Sequence, residues 1–314
     1  MNCKVAYVVV YPQLRVCEAT LFYMRLILPS LAVFTLVALA GAQQPSPRAG
    51  ASLASQRSGG TEAYVGFDLN NYPGDQALPT LRQHFSFVGY WLNNPPGERQ
   101  NNWRGKRDLI LRQGFGFLVL FNGRLDAEIV KAQKSGTLPA TLGKNDAVVA
   151  TVAAHREGFP SGTILFLDQE EGGRLLPEQA DYLLAWTEAV ARAGYRPGVY
   201  GSGQPVNEGH GHTITTAEDI RTHVATQHLH PIVLWVVQDT CPPSNGCTMQ
   251  PPPLTASGTS DAAVWQYAQS PQRRSFTAAC AKTYARDGNC YAPDAPGVFL
   301  DLDTAASPDP SHGR

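Results

Sequence analysis

The chain has 314 residues, with 25 basic and 26 acidic side chains and a formal net charge of −1. Because there is no basic excess to neutralise phosphates, we expect no nucleic-acid partner. Apolar residues make up 43% of the chain, which excludes a mainly disordered protein, and the length suits a single barrel domain of about 250 residues.

The N-terminus has the pattern of an export signal. An apolar run over 26–42 follows a basic residue and ends in small residues, which predicts cleavage near Ala42. We therefore assign 1–42 to a signal or N-terminal extension, with Met24 as the true start. A retained membrane anchor is the competing interpretation. Residues 43–61 are rich in Pro, Ser and Gly and predict a flexible linker. The mature protein is expected to be secreted or periplasmic.

Four cysteines remain after such a signal is removed. In an exported protein they predict two disulfides, and we expect each to pair with its neighbour in sequence, Cys241 with Cys247 and Cys280 with Cys290. Four cysteines allow three connectivities, so the other two pairings stay open. A zinc site is the weaker alternative, because no C-x-x-C motif is present.

Strand-like and helix-like segments alternate along the rest of the chain. Eight segments predict strands: 64–70, 85–92, 115–122, 163–170, 198–202, 232–239, 263–269 and 297–303. Four predict helices: 103–113, 145–157, 177–193 and 216–228. This alternation favours an α/β (β/α)8 TIM-type barrel over 62–305 rather than a doubly wound sheet. The long loop 240–260 makes its last third irregular, and 306–314 is expected to be a disordered tail.

The predicted strand ends carry carboxylates and aromatic residues. Since the active site of such a barrel lies at the carboxyl ends of its strands, these residues are the candidate site. They are Asp68, Trp91, Asp168, Glu170, Tyr200, Trp235, Trp265, Gln266, Asp301 and Asp303. Carboxyl pairs and aromatic faces are typical of a sugar site, where one carboxyl group donates a proton and a second acts as base or stabilises charge.

Asp168 and Glu170 form the sharpest pair. Residues i and i+2 of a strand share one face, so both side chains are expected to point into the barrel mouth. Two carboxylates this close do not ionise independently, and the raised pKa of one of them suits a general acid. Glu171 is better explained as a helix-capping residue.

Several motifs in chain order resemble those of the family 25 glycoside hydrolases, which are barrel lysozymes acting on bacterial cell-wall glycan. They are GFDLNNYPG, LFLDQEEGG, GYRPGVYGSG, VWQYAQ and GVFLDLD. The chain looks closer still to the secreted bacterial glycoside-hydrolase-like domains grouped beside that family. The first motif departs from the usual D-V-S-x-x-Q-G.

The resemblance implies a role for each matching residue. Glu170 matches the acid of the D-x-E motif, Asp168 its partner carboxylate and Asp68 the first-strand Asp. Asp301 matches the last-strand Asp, and two aromatic residues match residues that line the site, Tyr200 and Trp265.

The leading hypothesis is a secreted, monomeric glycoside hydrolase acting on peptidoglycan or another polysaccharide. The alternatives are a non-catalytic glycan-binding or envelope-associated barrel, and a hydrolase or lyase acting on another polymer. The chain has no P-loop, no G-x-G-x-x-G after a strand, no G-x-S-x-G and no H-E-x-x-H. We therefore expect no cofactor and no metal; the histidines at 210 and 212 fit a solvated loop.

Overall fold

A computed structural model describes residues 63–314, which contain ten strands and six α-helices. The strands are β1 Tyr64–Asp68, β2 Phe87–Trp91, β3 Gly116–Asn122, β4 Ile164–Asp168, β5 Arg196–Ser202, β6 Val206–Gly209, β7 His212–Ile214, β8 Val233–Val237, β9 Ala262–Ala268 and β10 Asp301–Ala305. The helices are α1 Leu78–Arg82, α2 Arg107–Arg112, α3 Asp126–Lys134, α4 Pro139–Glu157, α5 Pro177–Arg192 and α6 Thr216–Thr226. The expected signal over 1–42 and linker over 43–61 lie outside the described residues.

Eight of the strands close into a barrel in the order β1-β2-β3-β4-β5-β8-β9-β10, and β10 pairs with β1. Helices and strands alternate, so the predicted TIM-type barrel is confirmed. The strands are short apolar runs buried on both faces, as expected where helices cover a closed sheet. Strands β6 and β7 form a separate hairpin after β5. Within 63–314, no helix has the length and apolar character needed to cross a membrane.

The last barrel strand runs in the opposite direction to the other seven. β10 pairs antiparallel with both β1 and β9, whereas all the other neighbouring pairs in the barrel are parallel. The prediction that the eighth strand ends at Asp301 and Asp303 is therefore wrong: β10 begins at Asp301. Because its direction is reversed, the beginning of β10 lies beside the carboxyl ends of the other strands, so Asp301 still reaches the same mouth.

The predicted helices are present with shifted boundaries. α5 begins at a proline and ends before Gly194, as the sequence pattern indicates. α4 starts six residues earlier than predicted, because Gly143 serves close packing rather than ending a helix: a Cβ there would lie 2.2 Å from the Tyr182 carbonyl oxygen of α5. The short helices α1 and α3 were not predicted.

The two disulfides join different loops at the barrel mouth. Cys241 pairs with Cys280, and Cys247 pairs with Cys290. The expected pairing between sequence neighbours is therefore wrong. The β8–β9 loop holds the first cysteine of each pair and the β9–β10 loop the second. Because β10 is antiparallel, the β9–β10 loop begins and ends at the mouth, where it meets the β8–β9 loop. The expected irregularity of the last third is this pair of linked loops.

The C-terminal residues seal the opposite end of the barrel. The backbone N–H of Ser311 donates to the Phe117 carbonyl, its own carbonyl accepts from the Ile164 N–H, and its hydroxyl accepts from the Val119 N–H, each at 2.8 Å. Ser311 is fully buried. The expectation of a disordered tail over 306–314 is therefore wrong, because these residues provide hydrogen-bond partners where β3 and β4 begin.

Candidate active site

The centre of the mouth is a pair of facing carboxyl groups held by one amide. Asp68 ends β1, Asp301 begins β10, and the two are paired in register across the antiparallel ladder. The Gln266 Nε2 donates to Asp68 Oδ2 at 2.8 Å and to Asp301 Oδ2 at 3.4 Å. Burial raises the pKa of Asp68, while the hydrogen bond from Gln266 opposes that rise. Burial, and then the charge of Asp68, raise the pKa of Asp301 well above its usual range.

Below this pair lies a fully buried acid, Asp303. Its Oδ1 accepts from the Trp235 indole N–H at 2.9 Å. Burial raises the pKa of Asp303 well above its usual range, and the charge of Asp68 and a hydrogen bond to Asp68 raise it further. The same interaction lowers the pKa of Asp68, against the rise that burial causes. The strand-end pattern included Asp303 but did not predict that it lies buried beneath the other two carboxyl groups.

Asp168 is the last residue of β4 and is nearly fully buried. Burial raises its pKa well above the usual range, and the charges of Glu170 and Asp68 add to that rise. Its Oδ1 is buried without a hydrogen-bond partner within the described residues. A buried carboxyl oxygen that no donor satisfies favours the protonated form or awaits a ligand donor.

Glu170 lies two residues beyond β4, so the two residues do not share a strand face as predicted. Its side chain is exposed at the mouth. Nearby protein still desolvates the carboxyl group, which raises its pKa, and the charge of Asp68 raises it further. Glu171 accepts from the Asp126 N–H at the start of α3 and from Gln179 in the first turn of α5, in agreement with its expected capping role.

Tyr200 and Gln266 extend the network. The Tyr200 hydroxyl donates to Gln266 Oε1 at 2.8 Å, and Gln269 Nε2 donates to the same oxygen at 2.9 Å. Burial, followed by the charge of Asp168, raises the pKa of Tyr200 well above its usual range, so the phenol stays neutral. With its acceptor side occupied, the Gln266 amide is fixed with its donor side towards the carboxyl pair.

The three predicted tryptophans do not face the mouth. Trp91, Trp235 and Trp265 are at most 3% exposed, and each indole N–H already has an acceptor within the protein. Their burial is typical of core residues and does not support the substrate-binding role predicted for them. Large apolar surfaces at the ends of barrel strands are buried by the surrounding loops, which the local sequence pattern does not reveal.

The open space beside the carboxyl pair is lined by a different set of aromatic residues. A cleft of about 420 Å³ reaches Asp68 and Asp301 and is bordered by Tyr72 and Phe299. The Phe299 side chain is 50% exposed, an unusually high exposure for a large apolar residue. Sequence reasoning missed both aromatics, because Tyr72 lies in the loop after β1 and Phe299 fell inside the predicted strand 297–303, which begins only at Asp301. Asp168 and Glu170 lie outside this lining.

The structure thus places the predicted acidic residues close enough to interact electrostatically, but their solvent exposure differs. Asp68, Asp168 and Asp301 are enclosed, and Glu170 is accessible. Carboxyl groups that interact in this way titrate as a set, and the raised pKa values favour protonated forms over those of isolated carboxyl groups. Such a site can donate a proton and stabilise positive charge. Within 63–314, no group of three His, Cys, Asp or Glu residues is arranged to hold a metal ion.

Comparison with known protein families finds one family whose model matches this chain. A family model described as "Rv2525c-like, glycoside hydrolase-like domain" matches residues 81–273. No curated protein matches the chain.

Solved structures with a similar course of the chain have low sequence identity. An uncharacterized Bacillus stearothermophilus protein is 21% identical, with a TM-score of 0.49, over 77% of this chain and 95% of that one. The Mycobacterium tuberculosis Tat-secreted protein Rv2525c in complex with HEPES is 10% identical, with a TM-score of 0.43, over 79% and 96%. The modular autolysin LytC from Streptococcus pneumoniae is 12% identical, with a TM-score of 0.43, over 77% and 46%.

Proposed function

The chain belongs to the Rv2525c-like, glycoside hydrolase-like domain family, and from this premise we propose that it is a secreted, monomeric glycoside hydrolase. Its substrate is peptidoglycan or another extracellular polysaccharide, and cleavage is by carboxylate acid and base catalysis. The two disulfides support export, because such bonds persist in oxidising compartments.

One observation carries the proposal: four carboxyl groups from three separate parts of the chain meet at one barrel mouth, where burial and mutual charge raise their pKa values. They are Asp68, Asp168, Glu170 and Asp301. A barrel that only binds glycan has no need of such a set, since clustering like charges under low solvation is costly. The clustering therefore supports the hydrolase over the non-catalytic binder.

Glu170 acts as the general acid. It is the accessible member of the set, and its raised pKa favours the protonated form that can transfer a proton to the leaving glycosidic oxygen. Asp68 stays ionised more readily than its neighbours, because Gln266 donates a hydrogen bond to it that opposes the effect of burial on its pKa. Its negative charge holds the proton on Glu170 and stabilises positive charge on the sugar in the transition state.

Asp168 is the partner carboxyl group. Three roles fit its position at the end of β4: a base that activates water, a nucleophile, or a group that positions an acetamido substituent of the sugar. The anomeric configuration of the first product separates the base from the other two. A substrate analogue that lacks the acetamido group separates the positioning role of Asp168 from direct nucleophilic attack by it.

The test is incubation of the mature protein with purified peptidoglycan and a panel of polysaccharides, with release of reducing ends as the readout. Glu170→Gln should abolish hydrolysis and leave the melting temperature unchanged. Glu171→Gln is the matched control and should keep activity, because Glu171 contacts the ends of α3 and α5. Substantial hydrolysis by Glu170→Gln, or none by the parent on any polymer, would refute the proposal.

A further inference from the structure

A second cavity, of about 740 Å³, lies beside the carboxyl cluster at the carboxyl ends of β2 and β3. Three arginines and a row of valines on α4 line it, and we call it the arginine groove: Arg104, Arg124, Arg156, Val148, Val149 and Val152. We propose that the arginine groove binds a carboxylate-bearing glycan, with the arginines pairing with the carboxylates. The inference rests on the proposed function, because this glycan is the polymer to be cleaved.

Arg124 is the best organised of the three arginines. Its Nε and Nη2 donate to the two carboxylate oxygens of Asp146 at 2.7 and 3.0 Å. Asp146 is buried and also accepts from the Tyr182 hydroxyl at 3.0 Å. This clamp fixes the guanidinium plane while 41% of the Arg124 side chain stays exposed. A guanidinium held in place loses little conformational entropy when its outer edge takes a carboxylate.

A buried acid, Glu157, lies beside the other two arginines and contacts one of them, Arg156. Glu157 Oε2 accepts from the Tyr90 hydroxyl at 2.6 Å and from the Gly105 N–H at 2.7 Å, beside Arg104. Glu157 Oε1 contacts Arg156 Nε at 3.4 Å. The Glu157 side chain is 5% exposed, whereas Arg104 and Arg156 are exposed. Both exposed arginines line the groove, as do the carboxylates of Glu128 and Asp146.

The valines make the wall of the groove apolar. Val148, Val149 and Val152 are 60%, 53% and 58% exposed, although they lie in a helix whose other face packs against the barrel. Positions i, i+1 and i+4 of a helix form one face. An apolar wall beside fixed cations suits a ligand with apolar C–H faces and acidic groups, and a pyranose ring carrying a carboxylate has both.

The groove borders the candidate active site where β3 runs beside β4. Asn122 lines the groove and pairs in register with Asp168, and the next residue, Gly123, donates its N–H to the Asp168 carbonyl at 3.2 Å. A polymer bound over Asp168 and extending past β3 would lie towards the arginines. The acidic cluster repels an anionic substituent and the groove attracts it, which sets the register of the polymer.

The test is isothermal titration calorimetry at low salt with a short oligogalacturonate and with its methyl ester, which has the same sugars without the charges. The protein is mature Glu170→Gln, so that binding is measured whether or not the parent hydrolyses sugars. We expect the acid form to bind and to weaken with added salt, and the ester to bind at least about tenfold more weakly.

Arg104→Ala with Arg156→Ala should weaken binding of the acid form about tenfold or more, the effect of losing charge-assisted hydrogen bonds. These two arginines are exposed, so the double variant should keep its melting temperature, and Arg112→Ala, an exposed arginine of α2, is the control. Equal affinity for acid and ester, an unaffected double variant, or tighter binding of a glycerol phosphate oligomer would overturn the proposal. Loss of the hydrolase assignment alone would leave these binding results standing.

Discussion

Asp68 and Asp301 lie opposite each other where β1 meets β10, and the single amide of Gln266 donates to both carboxyl groups. This arrangement depends on the reversed direction of β10. If the last strand were parallel to its neighbours, its first residue would lie at the far end of the barrel. The antiparallel closure therefore adds an acidic side chain to the mouth at the beginning of a strand.

Replacing Gln266 with leucine tests this arrangement. The change leaves the buried Asp68 and the half-buried Asp301 without their shared donor, so the pKa of Asp68 should rise further and the free energy of unfolding at neutral pH should fall by about 1–3 kcal/mol. Urea denaturation measures the loss. Gln269→Leu is the control, since Gln269 donates to Gln266 and Tyr200 and not to the carboxyl pair, and an equal loss there would contradict the prediction.

The raised pKa values also set the direction of the pH dependence of stability. Asp168, Asp301 and Asp303 have pKa values well above those of the unfolded chain. From about pH 4 upwards to these raised values, the folded state therefore holds more protons than the unfolded state. The free energy of unfolding should fall as pH rises through this window.

Asp168→Asn should make the free energy of unfolding fall less steeply as pH rises. At pH 7 we expect the variant to be more stable than the parent by about 1 kcal/mol or more, because an amide has no charge to desolvate, while its hydrolytic activity is lost. Below about pH 4 the difference should vanish, since Asp168 is then neutral in both states. Denaturation across pH measures this, with exposed Asp261→Asn as control; a variant less stable at pH 7 would be inconsistent.

Gly89 makes room for Asp68. A Cβ at this position of β2 would lie 2.6 Å from the Asp68 Cβ, so alanine must displace the end of β1. A displacement of about 1 Å at a catalytic group can cost about a hundredfold in rate, and we expect a loss of that order for Gly89→Ala. Gly201→Ala in β5 is the control, because its nearest neighbour would be 3.4 Å away. Equal rates for the two variants would show that Asp68 tolerates the shift.

We expect each disulfide to stabilise the folded protein. Each closes a loop of about forty residues, with sequence separations of 39 and 43, for which chain entropy predicts about 4 kcal/mol. Removing Cys241 together with Cys280 should cost up to that amount and leave the other bond intact. Denaturation of the double serine variant measures the loss, and peptide mapping without reduction checks the pairing. Recovery of a peptide joining Cys241 to Cys247 would contradict the structure.

Much of the candidate site could be predicted from local sequence. Asp68 and Asp168 each follow a buried apolar run, and the ends of parallel strands meet at one face of a barrel, so position in the chain was enough to bring them together. The tryptophans had the same signal but are buried. Whether a side chain at a strand end faces solvent depends on the loops above it, such as those that cover Trp235 and Trp265.

The sequence by itself determined the barrel and the acidic residues at its mouth, because the alternation of apolar strands with amphipathic helices and the residue after each strand are local properties of the chain. Only the tertiary structure decided the direction of β10, the pairing of Cys241 with Cys280, the burial of Ser311 and the arginine groove. Each of these depends on contacts between segments far apart in the chain, and such contacts leave no periodic signal in the sequence.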